Sequence, residues 1–295
     1  MNPERAAMKT IDRENRGDHI KATAEKLLPL HPQIERIMKK IAVKPEDFSS
    51  PFDDEMIADD RRHVEKMKKK IREHDKNPGA GGLTFGEVSK LAEVLEYQVI
   101  KGINVGKWLP YCKAIKTSEY DDIINGIDLV VAFTKGEKSD HLGIGVDISF
   151  SQNLKGKFQR IKDEIDQYDA EDNHLGTVRY FPSAQTGERS PLLDVPRVVA
   201  ALDLGVMEDL ARVKDGGPGH IAQHAIITEM ERQLSVFADY AQKKNPLCLD
   251  QIMRAQNFVH LISQHLQSEE QLQSSEYGKN IKIQEAIEDG LSLFR

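Results

Sequence analysis

An α/β domain with a mixed sheet, flanked by a helical N-terminal arm and a helical C-terminal region, is the fold class the sequence predicts. Three observations carry this prediction. Leu142–Phe150 alternates strictly, with Leu142, Ile144, Val146, Ile148 and Phe150 on one face, and it follows a second apolar run, Ile127–Phe133. Helical spacing brackets this pair: Val88, Leu91, Ala92, Leu95 and Val99 before it, and Leu154, Phe158, Ile161, Ile165 and Tyr168 after it. Beyond residue 205 the apolar positions recur only at helical intervals. Mixed elements of this kind predict layered packing.

Composition bounds the rest. The chain has 295 residues, of which 39% are apolar, so a sizeable core is available. No run approaches the ~18 apolar residues of a membrane helix, and none is expected. The charged start, MNPERAAMKTIDRENRGDH, lacks the apolar stretch of a secretory signal. Cys112 and Cys248 cannot build a disulfide framework, so a cytoplasmic location is expected. The net charge of −7 argues against a global pull toward nucleic acid. That charge is uneven: residues 1–80 carry +2, residues 81–205 carry −5 and residues 206–295 carry −4.

These three stretches are also the expected units. Residues 1–80 read as a helical, partly disordered arm, with a mobile tail of about 18 residues, short helices near 19–29 and 33–42, and a helix over 53–74. Asn77-Pro78-Gly79-Ala80-Gly81-Gly82 is the clearest linker. In 81–205, Thr84 and Glu87 have capping-box spacing for a helix over 85–100. A weak strand near 113–117, the two strong strands, a helix over 152–168 and strands at 177–181 and 195–202 follow. In 206–295, helices are expected over 221–243, 247–267 and 280–294. The stripe on 247–267 predicts either core packing or a homo-oligomer contact through the C-terminal helices.

If 134–141 closes a symmetric hairpin, opposed residues of the strong strands have numbers summing to 275. Apolar residues then meet apolar residues along one face, while Asp128 meets Asp147 on the other, beside Gly143 and Gly145. Opposed Cβ atoms lie ~4.5–5.5 Å apart. Two carboxylates at that distance repel by roughly 3 kcal/mol at an effective dielectric near 20. One must be protonated, or a cation such as Mg²⁺ or Mn²⁺ must sit between them. Glu119, Asp121 and Asp122, just ahead of the second strand, can add a ligand or form a solvated acidic turn.

These residues resemble the PD-(D/E)XK nuclease superfamily. The resemblance implies a restriction-endonuclease-like core of helix, three-stranded meander, helix and strand over roughly 83–205. It also implies metal-dependent hydrolysis of nucleic-acid phosphodiesters. Asp128 and Asp147 would then take the metal-holding acidic positions. The family's lysine position falls on Ser149, so Lys155 or Lys157, early in the next helix, would have to substitute. If neither does, the fold becomes a catalytically inactive module that binds nucleic acid or protein. The strings SEYDDIINGID, VDISFS and HIAQHAIITEMERQLSVFADYA are also similar to a family of bacterial proteins with no assigned activity.

Helix 61–72 holds seven Lys/Arg and one Glu. Arg61, Arg62, Lys66, Lys69 and Lys70, with Arg160, are the candidate phosphate contacts, against the alternative of a solvated face. No aromatic is interleaved, so base stacking is not expected from this helix. His220 and His224 lack a third ligand for zinc. Nucleotide-loop and nucleophile-elbow motifs are absent.

Overall fold

The computed structural model describes residues 20–74, 82–133, 143–150, 153–169, 171–183, 187, 189–267 and 281–295. The expected N-terminal tail, most of the 77–82 linker and the 134–141 connection lie outside these residues. Helices α1 (20–27), α2 (His31–Ile41) and α3 (Asp54–His74) form the arm. Helix α4 (Phe85–Asn104) opens with the expected capping box: Thr84 Oγ1 accepts from the Glu87 N–H, and Glu87 Oε2 accepts from the Thr84 N–H at 2.7 Å. It runs four residues past its expected end.

The main sheet has the order β1 (Cys112–Lys116), β2 (Leu129–Phe133), β3 (Gly143–Ser149), β6 (Arg197–Ala201). The first three strands form an antiparallel meander, and β6 joins β3 in parallel. Between β3 and β6 the chain makes α5 (Lys155–Gln167) and a separate hairpin, β4 (Gly176–Pro182) with β5 (Arg189–Val195). The 177–181 segment therefore pairs with β5 and not with the main sheet. Strand β5 is not legible in sequence because three of its first four residues are exposed, Pro191 interrupts the pattern, and Asp194 takes φ 55°.

Leu129↔Val146, Val130↔Gly145, Val131↔Ile144 and Ala132↔Gly143 reproduce the expected register. Leu129, Val131, Ile144 and Val146 join the large core with α4, α5 and α7 (Ile221–Lys244). Val130 and Ala132 pack instead beneath the β4–β5 hairpin against Val178, Phe181 and Leu192. Ile127 belongs to this second cluster, whereas strict alternation would have placed it with Leu129. The alternation thus breaks between Ile127 and Leu129, around Asp128. Core residues come from all three stretches: Ile34 and Met38 from the arm, Leu95 from α4, Leu234 and Phe237 from α7.

Strand β6 has β3 on one side only. On the other, Gln233 of α7 stands in for a strand: its Oε1 accepts from the Val199 N–H and its Nε2 donates to the Val199 carbonyl, both at 2.8 Å. Helices α6 (Leu204–Ala211), α8 (Leu249–Gln267) and α9 (Ile281–Leu291) complete the C-terminal region. Ile252, Ala255, Val259 and Ile262 of α8 are buried in the large core, so that stripe packs inside the chain. Among the described residues no helix is long and apolar enough to cross a membrane.

Candidate metal centre and its cleft

The break at Asp128 has a chemical consequence. Its N–H bonds the Val146 carbonyl at 3.0 Å, and its Oδ2 accepts from the Ile148 N–H at 2.5 Å. Held this way at the end of the ladder, the Asp128 carboxyl joins Glu96 of α4 and Asp122. One oxygen from each of the three lies within 4.8 Å of the others. Asp122 is carried by a single π-helical turn, Asp121–Asn125, that ends at Gly126 with φ 66°. The turn is pinned by Asp121, fully buried, whose carboxylate accepts from Ser118 Oγ, Asn125 Nδ2 and the N–H groups of Arg179 and Tyr180.

Lys116 enters the cluster from β1. Its Nζ lies 2.7 Å from Glu96 and 2.8 Å from Asp122, and its side chain is 10% exposed. Cys112, Ala114 and Lys116 share one face of β1, the face toward α4, which aims the amine at the carboxylates. Burial works against its charge, but Asp122, Glu96 and Asp128 outweigh burial and hold the ammonium above its ordinary pKa. Burial, then the neighbouring Glu96, Asp122 and Asp147 carboxylates, push Asp128 well above the usual carboxylate range. Burial likewise lifts Glu96 to about 7 despite Lys116. Fully ionised, the four groups carry a net −2, and two of the three carboxyls resist ionisation until more positive charge arrives.

The buried acidic triad Glu96, Asp122 and Asp128 can hold a metal ion. Two oxygens sharing one hard cation at ~2.0–2.6 Å can be at most ~4–5 Å apart, and the triad meets that limit. All-carboxylate donors suit Mg²⁺, Mn²⁺ or Ca²⁺ better than zinc. This set shares only Asp128 with the pair expected from sequence, Asp128 and Asp147. Asp147 is paired with Lys157 of α5 and stands outside the triad, although its charge still acts on Asp128. The ladder disruption at Asp128 is the reason: in-register pairing stops at Leu129↔Val146.

The triad lies at the floor of a cleft of about 610 Å³. Lys157 lines it, but exposed Lys155 does not. Glu119 stands at its edge, exposed, 2.5 Å from Lys68. Of the basic helix, Lys68 and Arg72 line the cleft with Lys39 of α2. The residues chosen from sequence lie elsewhere on α3. Arg61 pairs with Glu46 and Arg62 with Asp59, while Lys66, Lys69 and Lys70 are exposed away from the cleft lining. Arg160 donates to the Asn125 carbonyl at 3.3 Å, bracing the turn that carries Asp122.

Glu96 and Lys116 were not singled out from sequence. Glu96 had one signal: with Ala92 and Val99 it falls on the apolar stripe of α4, where a carboxylate needs a partner. No family model, curated protein or solved structure matches the chain.

Proposed function

We propose that this protein is a metal-dependent phosphodiesterase acting on nucleic acid, of the restriction-endonuclease-like type. The observation that carries the reading is the carboxylate triad with its buried lysine at the floor of a cleft rimmed by Lys39, Lys68 and Arg72. A cleft that joins carboxylates able to hold a cation with Lys39, Lys68 and Arg72 suits a phosphate ester that meets that cation. The order helix, antiparallel meander, helix, parallel strand also agrees with the resemblance, with the β4–β5 hairpin as an addition. A divalent cation held by Glu96, Asp122 and Asp128 would polarise a phosphoryl oxygen and lower the pKa of a bound water. The Lys116 ammonium, 2.7 Å from Glu96 and 2.8 Å from Asp122, offsets part of the charge that the three carboxylates bring together. The Ile148 N–H fixes the Asp128 carboxyl. Lys157, tied to Asp147 at the cleft wall, supplies a cation for charge that develops on phosphate.

Cleavage of a labelled oligonucleotide in Mg²⁺ or Mn²⁺ tests the reading. Activity should vanish in chelator and in Glu96→Gln and Asp128→Asn. Activity that survives both substitutions would overturn it. One observation favours a second reading, a non-cleaving binding module: the Lys116 ammonium already sits between Glu96 and Asp122 as an internal counter-ion. That reading expects oligonucleotide binding without metal-dependent cleavage.

A further inference from the structure

We propose that the cleft takes its nucleic acid as a single strand, with a base laid on Phe85 and the phosphates running along Lys39, Lys68 and Arg72. This rests on the phosphodiesterase reading of the same cleft and specifies the substrate form.

Size is the first argument. A space of about 610 Å³ falls within the ~300–1,000 Å³ of sites that enclose small ligands. It accommodates individual nucleotides, not a double helix. The walls are the second. Helices α2 and α3 of the arm line it through Met38, Lys39, Lys68, Ile71 and Arg72, and the start of α4 lines it through Phe85. A nucleotide lying in this space touches these residues and the triad together, and one that does so is not also paired within a duplex. The third argument is chemical. A cleft built only for phosphate needs cations. This one also carries an apolar wall, and Phe85, half-buried at the first turn of α4, lines it. Bases stack on such rings irrespective of sequence.

Two of the three rim cations already have carboxylate partners, which a phosphate would have to displace or share. Glu35 holds Lys39 at 2.5 Å, and Glu119 and Glu65 hold Lys68 at 2.5 and 3.2 Å. Arg72 has no ion-pair partner among the described residues, leaving its fork open to a phosphate. The sequence had offered no aromatic beside the basic helix. Folding brings Phe85 to it from the far side of the 77–82 linker.

The test is fluorescence anisotropy with a short labelled single-stranded oligonucleotide and its duplex, in chelator and at low salt. The single strand should bind at least tenfold more tightly. Phe85→Leu keeps the apolar volume and removes the ring, and should weaken binding by about tenfold, while Phe85→Tyr should not. Arg72→Ala should reduce the slope of log affinity against log salt by about 0.7, the value for one phosphate contact on a single strand. Equal or tighter duplex binding, or full affinity in Phe85→Leu, overturns the proposal. Because binding is read without metal, the phosphodiesterase reading is judged apart, by Mn²⁺ calorimetry on the unmodified chain and on Asp128→Asn. Mn²⁺ binding alongside duplex preference would sink the strand proposal alone. A single-strand preference without Mn²⁺ binding would sustain it and sink the metal reading.

Discussion

Asp128→Asn should raise the stability of the metal-free protein at pH 8 and above while removing its response to divalent ions. The magnitude follows from the triad. Like charges 4.8 Å apart repel by about 3 kcal/mol at an effective dielectric near 20. Ionised Asp128 faces two such neighbours, Glu96 and Asp122, and the attraction of Lys116 offsets roughly one of them. About 3 kcal/mol of net repulsion remains. Asparagine removes the charge yet keeps an oxygen to accept the Ile148 N–H. For a chain of this length a gain of about 3 kcal/mol raises the melting temperature by roughly 5 °C. The sign depends on pH. The folded-state pKa of Asp128 is raised, so the wild-type penalty is absent below the unfolded value and grows as pH rises toward the folded one. The two proteins should therefore melt alike near pH 4 and diverge above it. Mn²⁺ at a hundred times its Kd should stabilise the wild type by about 2.7 kcal/mol and leave the variant unchanged. Thermal melts across pH, with and without Mn²⁺, read both effects. A wild type indifferent to Mn²⁺ whose melting curve coincides with that of Asp128→Asn at every pH would refute the reasoning.

Three further outcomes are expected. Metal affinity, measured by calorimetry, should climb from pH 6 to pH 8, because Glu96 is lifted to about 7 and must lose its proton to act as a ligand; an affinity flat over that interval would exclude Glu96 from the site. Gln233→Leu should cost about 2–5 kcal/mol in urea unfolding, since it strands the buried N–H and carbonyl of Val199 at about 1–3 kcal/mol each; a loss below 1 kcal/mol would mean that β6 is closed in some other way. Arg197→Met should destabilise by about 3–5 kcal/mol near neutral pH, because Arg197 is buried and its Nη1 lies 2.5 Å from Glu164. Burial lifts Glu164 to about 7 even with Arg197 present, so the loss should shrink as pH falls and Glu164 takes up a proton. A loss equal at pH 5 and pH 8 would contradict this.

What the sequence determined by itself was local and periodic. The alternation of Leu142–Phe150 against Ile127–Phe133 set the β2–β3 register, Thr84 and Glu87 set the start of α4, and the spacing after 205 set the C-terminal helices. An acidic concentration around 119–128 was visible too, with Asp128 at its end. Tertiary structure decided which carboxylates meet. Glu96, Lys116, Asp122 and Asp128 come from a helix, a strand, a π-helical turn and a strand end, and only the packing of α4 against the sheet brings them together. Asp147 left the expected pair because a single irregularity at Asp128 redirected one carboxyl, and period-two reasoning carries no information about where a ladder breaks. The same limit applies to the cleft: Phe85 and Arg72 belong to different helices, and that both line one cleft is a product of packing that no window of sequence encodes.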